Sequence, residues 1–304
     1  MNSFVEDFKY AWNRPNNALI KLIILNVCVF VLINLVWFIS TIAKDLAIYE
    51  FAKDNLAIPS AINQFVFKPW TLITYFFTHQ DFFHILFNML IMYWFGLIIQ
   101  EFLGSKKLVA LYILGGMAGG VAFLLMYNLI PFFIERGPVP MLGASAAVYA
   151  IVIGAAAFMP EYRMSLILLG PVKIKYIAAV YIFLSFIGTT GANAGGNIAH
   201  LGGALIGFVF IKQLQKGDDW SKPISNILDS IAGLFKGRSK MKVTYKKGAS
   251  VKTSNAKASQ PVKPNGEPDQ AIVDAILDKI SESGYEKLTT EEKQILFKAS
   301  QKKS

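Results

Sequence analysis

A serine and a histidine each stand near the start of a long apolar stretch of this chain. Ser145 lies in the segment GASAA, and His200 lies in the segment AHLGG. A serine hydroxyl becomes an effective nucleophile only when a neighbouring base accepts its proton, and the ordinary pKa of histidine suits that task near neutral pH. If the fold brings the two side chains together, we expect nucleophilic catalysis with His200 as the general base.

Residues near this pair have types and spacing that would support the same chemistry. Tyr149 follows Ser145 by four residues and shares its helix face, and Asn88 follows His84 in the same way on another helix. His84 and Asn88 could both donate hydrogen bonds to an oxyanion. Gly143, just before the serine, helps to leave backbone N–H groups unobstructed at a helix N-terminus, where a developing negative charge is favoured.

Glycines are placed where helices could approach each other closely. Gly203 and Gly207 share a helix face with His200 and would let a neighbouring backbone come near enough for the histidine to reach a serine. The third apolar segment has the small-xxx-small spacing of helix packing, at Gly115, Gly116, Gly119 and Gly120.

Each polar residue also has a less specific interpretation. Serine in a membrane helix usually donates to a carbonyl one turn earlier, whereas a histidine within a span is costly and indicates function. Three histidines could bind zinc, but no carboxylate or thiolate joins His79, His84 and His200. The sequence has no glycine-rich phosphate loop and no Cys/His zinc spacing, so we expect neither a metal nor another cofactor.

The elements that must position these residues are membrane helices. Of the 304 residues, 54% are hydrophobic and 16% are charged, with a mean hydropathy of +0.44, whereas a soluble domain has roughly 25% charged residues. Apolar runs recur at about the 20-residue length that crosses a bilayer. We predict an all-α membrane protein with six transmembrane helices, at residues 18–42, 84–103, 108–131, 143–159, 174–190 and 198–214.

Basic residues predict how these helices are oriented. Lysines and arginines stand before the first predicted helix, after the second, between the fourth and fifth, and after the sixth, which favours the cytoplasm at those ends. We therefore expect both termini on the cytoplasmic side of the cell (inner) membrane. Helices two, four and six then run inward, which places His84, Asn88, Ser145 and His200 at one depth near the outer face.

The stretch from Lys44 to Phe83 is too apolar for a free loop and too interrupted by charges to span a bilayer. We expect a large interfacial loop between the first two helices, with its aromatic residues at headgroup level. These residues are Phe65, Phe67, Trp70, Tyr75, Phe76 and Phe77.

Taken in order, the motifs resemble the rhomboid family of intramembrane serine proteases, of the bacterial type with six transmembrane helices. The similarity lies in Trp70, in the segment THQDFFHILFNML, in GASAAVYA and in AHLGGALIG, and it covers about residues 15–215. A six-helix bundle of that family is the fold that the resemblance implies.

The resemblance also implies a role for each matching residue. Ser145 and His200 would form a dyad without an aspartate, and Tyr149 would stack on the His200 ring and orient it. His84, Asn88 and the Ser145 backbone N–H would form the oxyanion hole, which Gly143 would help to shape.

Three positions depart from the family pattern. Ala146 stands where the family usually has glycine, Thr71 where it often has arginine, and Gln100 where it often has glutamate. The extra methyl of Ala146 could crowd the site. Thr71 and Gln100 lie away from the candidate catalytic residues, so these two departures bear on stability or gating more than on activity.

The chain extends well beyond the predicted bundle. We divide it into an N-terminal cytoplasmic segment (1–17), the membrane domain (18–215), a basic cytoplasmic linker (216–267) and a small helical hairpin (268–304) in which Thr289 and Glu292 form a capping box. We expect a solvated linker; as an alternative, its basic residues could attract anionic lipid headgroups. Nucleic acid is not an expected partner, because no aromatic residues are interleaved with these charges.

Two classes of function follow from the resemblance. The first is an endopeptidase that hydrolyses peptide bonds in or near transmembrane helices, with the lipid bilayer and transmembrane protein substrates as partners. The alternative is a catalytically inactive relative that binds membrane helices or serves in quality control. An inactive relative would typically have lost Ser145 or His200, and both are present. A transporter is disfavoured, because the spans lack paired internal charges.

Overall fold

The computed structural model describes residues 16–166, 170–235 and 270–283, together with isolated residues near both ends of the chain. The chain forms two compact units, Met1–Ser239 and Lys240–Ser304. The first unit is an all-α bundle of apolar helices, which confirms the predicted fold class.

The helices of the first unit are mostly long and apolar, and short elements connect them. The helices are α1 (Ala18–Ile42), α2 (Ala47–Leu56), α3 (Ile62–Phe65), α4 (Thr71–Thr74), α5 (Phe82–Leu103), α6 (Ser105–Leu129), α7 (Pro131–Ile134), α8 (Ser145–Phe158), α9 (Ile174–Gly188), α10 (Ala194–Gln215) and α11 (Ser221–Phe235). Two antiparallel strand pairs join β1 (Ile58–Pro59) to β2 (Pro140–Met141) and β3 (Arg163–Leu166) to β4 (Gly170–Lys173).

Four of the six predicted spans, now α1, α5, α6 and α10, are long and apolar enough to cross a membrane. The other two are apolar but shorter, with 14 residues in α8 and 15 in α9. At 1.5 Å per residue they are roughly 21–23 Å long, less than a hydrocarbon core of roughly 30 Å. Helix α8 ends two residues before Pro160, and a proline disfavours helical geometry in the residue that precedes it.

Helix α8 lies in the centre of the bundle rather than against lipid. Ten of its 14 residues are buried, and all ten are small or β-branched. Its neighbours α6 and α10 contribute glycines at the contacts: a Cβ on Gly203 would lie 2.0 Å from the Ala146 carbonyl oxygen, and one on Gly207 would lie 2.3 Å from the Ala150 carbonyl oxygen. The glycines therefore permit backbone-to-backbone packing, as their spacing predicted.

The region between α1 and α5 is a structured loop, and its aromatic residues differ in exposure: Phe65 and Phe77 are half-buried. Phe67 and Trp70 are exposed, whereas Tyr75 and Phe76 are buried at 1% and 0% exposure. The Tyr75 hydroxyl donates to the Gly116 carbonyl oxygen at 2.5 Å, and the Phe76 ring lies where a Cβ on Gly116 would stand. These two rings are therefore packed inside the protein, because the glycines of α6 open a space that they fill. The headgroup level of the loop stays a prediction.

Two of the three departures from the family pattern have structural roles in the bundle. The buried Thr71 hydroxyl donates to the Lys68 carbonyl oxygen at 2.6 Å. The Gln100 Oε1 atom accepts from the Leu19 N–H at 2.9 Å, which satisfies one of the free backbone donors at the start of α1.

The first part of the predicted linker is the helix α11, whose apolar residues recur at helical spacing: Ile224, Ile227, Leu228 and Ile231. Lys107, at the start of α6, forms an ion pair with Asp219 just before α11, at 3.2 Å. The remainder of that linker, including most of its basic residues, lies outside the described residues.

The second unit contains the helix α12 (Gln270–Ser283). The Thr289 N–H donates to the Glu292 carboxylate at 2.7 Å, and the Glu292 N–H donates to the Thr289 hydroxyl at 3.3 Å. These are the two reciprocal bonds of the predicted capping box.

Glycine packing around α8 makes a testable prediction. Gly207→Ala should destabilise the protein by roughly 1–3 kcal/mol, because the new Cβ meets a backbone oxygen that cannot move away. Gly154→Ala is the matched control, since its Cβ would first meet the flexible Leu111 methyl groups at 3.4 Å. Thermal unfolding in detergent micelles measures both. Equal midpoints for the two variants would contradict this account of the packing.

Candidate active site

Ser145 and His200 face each other across the contact between α8 and α10. The His200 Nε2 atom lies 2.7 Å from the Ser145 Oγ atom. Ser145 is the first residue of α8, and His200 lies in the second turn of α10, because α10 begins four residues earlier than predicted. The glycine contact at Gly203, one turn further along α10, sets the helix separation that this distance requires.

The imidazole of His200 is held on its face and at both nitrogens. The Tyr149 ring stacks on it, with centroids 4.2 Å apart and planes at 11°. The Nδ1 atom lies 3.2 Å from the Ser185 Oγ atom. Ser185 Oγ also donates to the Tyr149 hydroxyl at 2.8 Å. Ser185 is on α9 and was missed by the sequence analysis; the only signal was a lone serine within the apolar run IAAVYIFLSFIG.

The chain enters α8 through a constrained turn. Gly143 has φ +125°, a conformation that favours glycine, and a Cβ there would lie 2.6 Å from the His84 ring. The Gly143 N–H donates to the Tyr75 carbonyl oxygen at 2.9 Å. The Ala144 N–H donates to His79 Nε2 at 3.2 Å. These two N–H groups therefore have acceptors within the protein, contrary to the expectation that they stay unobstructed, and the Ser145 N–H is the first of the helix.

His84 and Asn88 both lie beside the serine. The His84 ring sits against Gly143 and lines the same cavity as Ser145. The Asn88 amide donates one hydrogen bond to the His84 carbonyl oxygen at 2.8 Å, one helical turn earlier. A carboxamide has two N–H donors, so this bond leaves Asn88 a second one.

Ala146 does not crowd the serine with its methyl group. A Cβ on Gly119 would lie 2.4 Å from the Ala146 Cβ. The methyl is therefore directed towards α6, where Gly119 leaves room for it.

His79 supports the turn before the serine. It is fully buried in the loop before α5, and its ring lies 5.1 Å from that of His84. Burial, assisted by His84, lowers the pKa of His79 from 6.5 to about 3. It is therefore neutral near pH 7 and can accept the Ala144 N–H. Within the described part of the chain, no cluster of three His, Cys, Asp or Glu side chains could hold a metal ion.

Two openings reach the serine. The first is a cavity of about 640 Å³ between α6, α8, α10 and the turn before α8, with a mixed polar and apolar lining that includes Ser145, His200, His84, Met141, Phe123 and Tyr127. The second is an apolar cleft of about 490 Å³ between α5 and α9, lined by Phe83, Phe87, Asn88, Ile91, Ser145, Tyr149, Tyr181 and Leu184 among others.

The buried His79 predicts a pH effect on stability. Its pKa is lower in the folded protein than in the unfolded chain, so the unfolded chain binds the extra proton and stability falls as the pH drops below about 6.5, until about 3. Between pH 7 and pH 4 the protonation of His79 lowers the free energy of unfolding by roughly 3 kcal/mol. In His79→Gln, the loss of thermal stability over that interval should be smaller. An unchanged pH dependence of the unfolding midpoint would refute the role of His79.

Comparison with known proteins gives two family matches. A family model described as the Rhomboid domain matches residues 66–216, and one described as a family of unknown function (DUF6576) matches residues 267–302. The second match covers α12 and the capping box.

Curated relatives match the membrane bundle. RHOMBOID-like protein 12, mitochondrial, of Arabidopsis thaliana is 31% identical over 157 residues, which are 48% of this chain and 47% of that protein. Rhomboid protein 1, mitochondrial, of Saccharomyces cerevisiae is 26% identical over 215 residues, which are 68% of this chain and 56% of that protein. The chain spans about half the length of these relatives. With its Rhomboid domain and its bundle of apolar helices, the chain belongs to the rhomboid family of membrane proteins.

Proposed function

We propose that this protein is an intramembrane serine endopeptidase that hydrolyses peptide bonds in or near transmembrane helices. The observation that carries the proposal is the 2.7 Å contact between Ser145 Oγ and His200 Nε2 beside a cavity in a bundle of membrane helices. A serine and a base within hydrogen-bond distance, with the base oriented by further groups, are the parts that nucleophilic catalysis needs.

The reaction takes two steps. Ser145 Oγ attacks the carbonyl carbon of the scissile bond while its proton passes to His200 Nε2. That proton then goes to the leaving amine nitrogen, the C–N bond breaks, and an acyl-serine remains. In the second step a water gives a proton to His200 and attacks the acyl carbon. The acid leaves, and the proton returns to Ser145.

Negative charge that develops on the carbonyl oxygen needs donors near Ser145. The Ser145 N–H is the first of α8 and has no acceptor within the helix. His84 and Asn88 flank the same serine, and the N-terminal end of α8 favours negative charge by its dipole. These groups are the proposed oxyanion hole.

The apolar cleft between α5 and α9 offers a route for the substrate. Its lining is aromatic and aliphatic apart from the groups at the site, and its rim residue Phe83 is 67% exposed. An apolar segment that lies in the bilayer could enter there without crossing water. The distribution of basic residues supports cytoplasmic termini and a site near the outer face of the cell membrane. The scissile bond is then near the outer end of the substrate helix.

Substitution of the dyad tests the proposal. Ser145→Ala and His200→Ala should each abolish cleavage of a transmembrane reporter in proteoliposomes, because either loss disables the unit. Ser40→Ala, which removes a buried hydroxyl from α1, should leave cleavage unchanged. A serine-directed fluorophosphonate should label Ser145, as located by mass spectrometry. Folded wild-type protein that neither cleaves nor becomes labelled would instead fit a catalytically inactive relative.

The same assay tests depth and orientation. A permissive segment moved stepwise along the reporter helix should be cut only near its outer end, where mass spectrometry locates the new termini. Cuts that cluster at the cytoplasmic end would overturn the proposed topology.

Asn88→Ala should lower the turnover number with little change in KM. The loss of one donor to transition-state charge costs roughly 10²–10³-fold in rate, and less where His84 shares the charge. Asn34→Ala is the matched control, since Asn34 makes the same bond to a carbonyl one turn earlier, but on α1. If Asn88→Ala and the double variant with His84→Ala both kept wild-type turnover, α5 would have no part in the mechanism.

A further inference from the structure

We propose that Ser185 is a positioning residue that holds His200 in the tautomer able to act as a base. A hydroxyl on α9 thereby does for the histidine what a carboxylate does in a catalytic triad. The inference deepens the proposed function and rests on it for its kinetic consequence. The tautomer itself is a property of the free protein.

The base needs one particular tautomer. To take the Ser145 proton, His200 Nε2 must carry a lone pair, so the ring proton must be on Nδ1. That N–H then needs an acceptor, because an unsatisfied donor is costly in an apolar interior. Ser185 Oγ lies 3.2 Å from Nδ1, and Ser185 is 1% exposed, so no open water surrounds this contact.

A chain of hydrogen bonds favours one direction for the Ser185 hydroxyl proton. Its hydroxyl donates to the Tyr149 hydroxyl at 2.8 Å, and that hydroxyl donates to the Tyr181 carbonyl oxygen at 3.5 Å. A carbonyl oxygen can only accept. In this arrangement Tyr149 donates its hydroxyl proton to the Tyr181 carbonyl oxygen, and Ser185 donates its own to the Tyr149 hydroxyl. A lone pair of Ser185 Oγ then faces His200 Nδ1 and can accept its proton.

Reversal of this chain would produce the wrong tautomer. If Ser185 donated to Nδ1, the ring proton would move to Nε2 and point at Ser145, which would then have no base. The bond from Tyr149 to the Tyr181 carbonyl oxygen is the longest of the chain, so Tyr181 only biases the direction of the donors. Ser185 makes the contact that passes this bias to the His200 ring. The Tyr149 ring, stacked on His200, keeps the imidazole in the plane in which both nitrogens reach their partners.

A neutral orienting group suits this position. The sequence has no Asp or Glu anywhere in residues 162–217, which include all of α9 and α10. A carboxylate here would have to be desolvated inside the membrane domain, at a cost that a hydroxyl avoids. When His200 takes the Ser145 proton, the imidazolium keeps its Nδ1–H bond to Ser185, and polarisation along the chain strengthens it.

The test compares Ser185→Ala with Ser185→Thr, which keeps the hydroxyl, and with Ser40→Ala, which removes a buried hydroxyl from α1. Ser185→Ala should lower kcat by roughly 10- to 100-fold, the worth of a hydrogen bond to a charged group, at unchanged KM. Ser185→Thr should recover most of the rate, and Ser40→Ala should not lose it. Tyr149→Phe, which keeps the stacked ring, should reduce kcat less than Ser185→Ala does. The fold-loss in kcat of the Ser185→Ala/Tyr149→Phe double variant should be smaller than the product of the two single losses, because both residues act through one chain of hydrogen bonds.

A second readout does not depend on activity. In protein labelled with ¹⁵N-histidine, the His200 signals, assigned by their loss in His200→Ala, should show a proton on Nδ1 in the wild type. They should show a shift towards Nε2 in Ser185→Ala and in Tyr149→Phe. Such a shift without any cleavage by the wild type would support the role of Ser185 and overturn the protease. An Nδ1–H tautomer that survives in folded Ser185→Ala, with kcat unchanged, would overturn the inference.

Discussion

The contact between the backbones of α8 and α10 is the constraint on which the rest of the site depends. Gly203 and Gly207 leave no side chain between the helices, so the carbonyl oxygens of Ala146 and Ala150 pack directly against α10. At that separation a histidine on one helix reaches a serine on the other. Any side chain at these glycines would push the helices apart and break the 2.7 Å contact. The proposed chemistry therefore depends on how closely these two helices pack.

Short helices in a protected centre make room for polar chemistry in a membrane protein. Helix α8 begins at Ser145, well inside the bundle, and its neighbours shield it from lipid. Because α8 starts so far inside the bundle, a cavity remains beside its N-terminal end, lined by Ser145 and His200 among others. Because each buried polar group needs a partner, the site is built as a connected set of hydrogen bonds. That set extends through Ser185 and the hydroxyl of Tyr149.

The loop between α1 and α5 positions Ser145 as much as α8 does. Its strand β1 pairs with β2 just before the serine, the Tyr75 carbonyl accepts the Gly143 N–H, and His79 accepts the Ala144 N–H. Three separate attachments thus hold the turn that starts α8. A loop that looks like a surface feature in the sequence is the frame of the candidate active site.

The sequence by itself determined the class of fold, the six apolar helices of the bundle to within a few residues, and the residue types of the candidate dyad. It could do so because a bilayer demands long apolar runs, and because a histidine within such a run is costly and therefore rare. Only the tertiary structure decided the partners: that Ser185 meets His200, that Tyr75 and Phe76 fill the glycine gaps of α6, and that Gly143 and Ala144 give their N–H groups to the loop. Each of these contacts joins residues on different elements of the fold. Periodicity describes one helix at a time, so it carries no information about which faces meet.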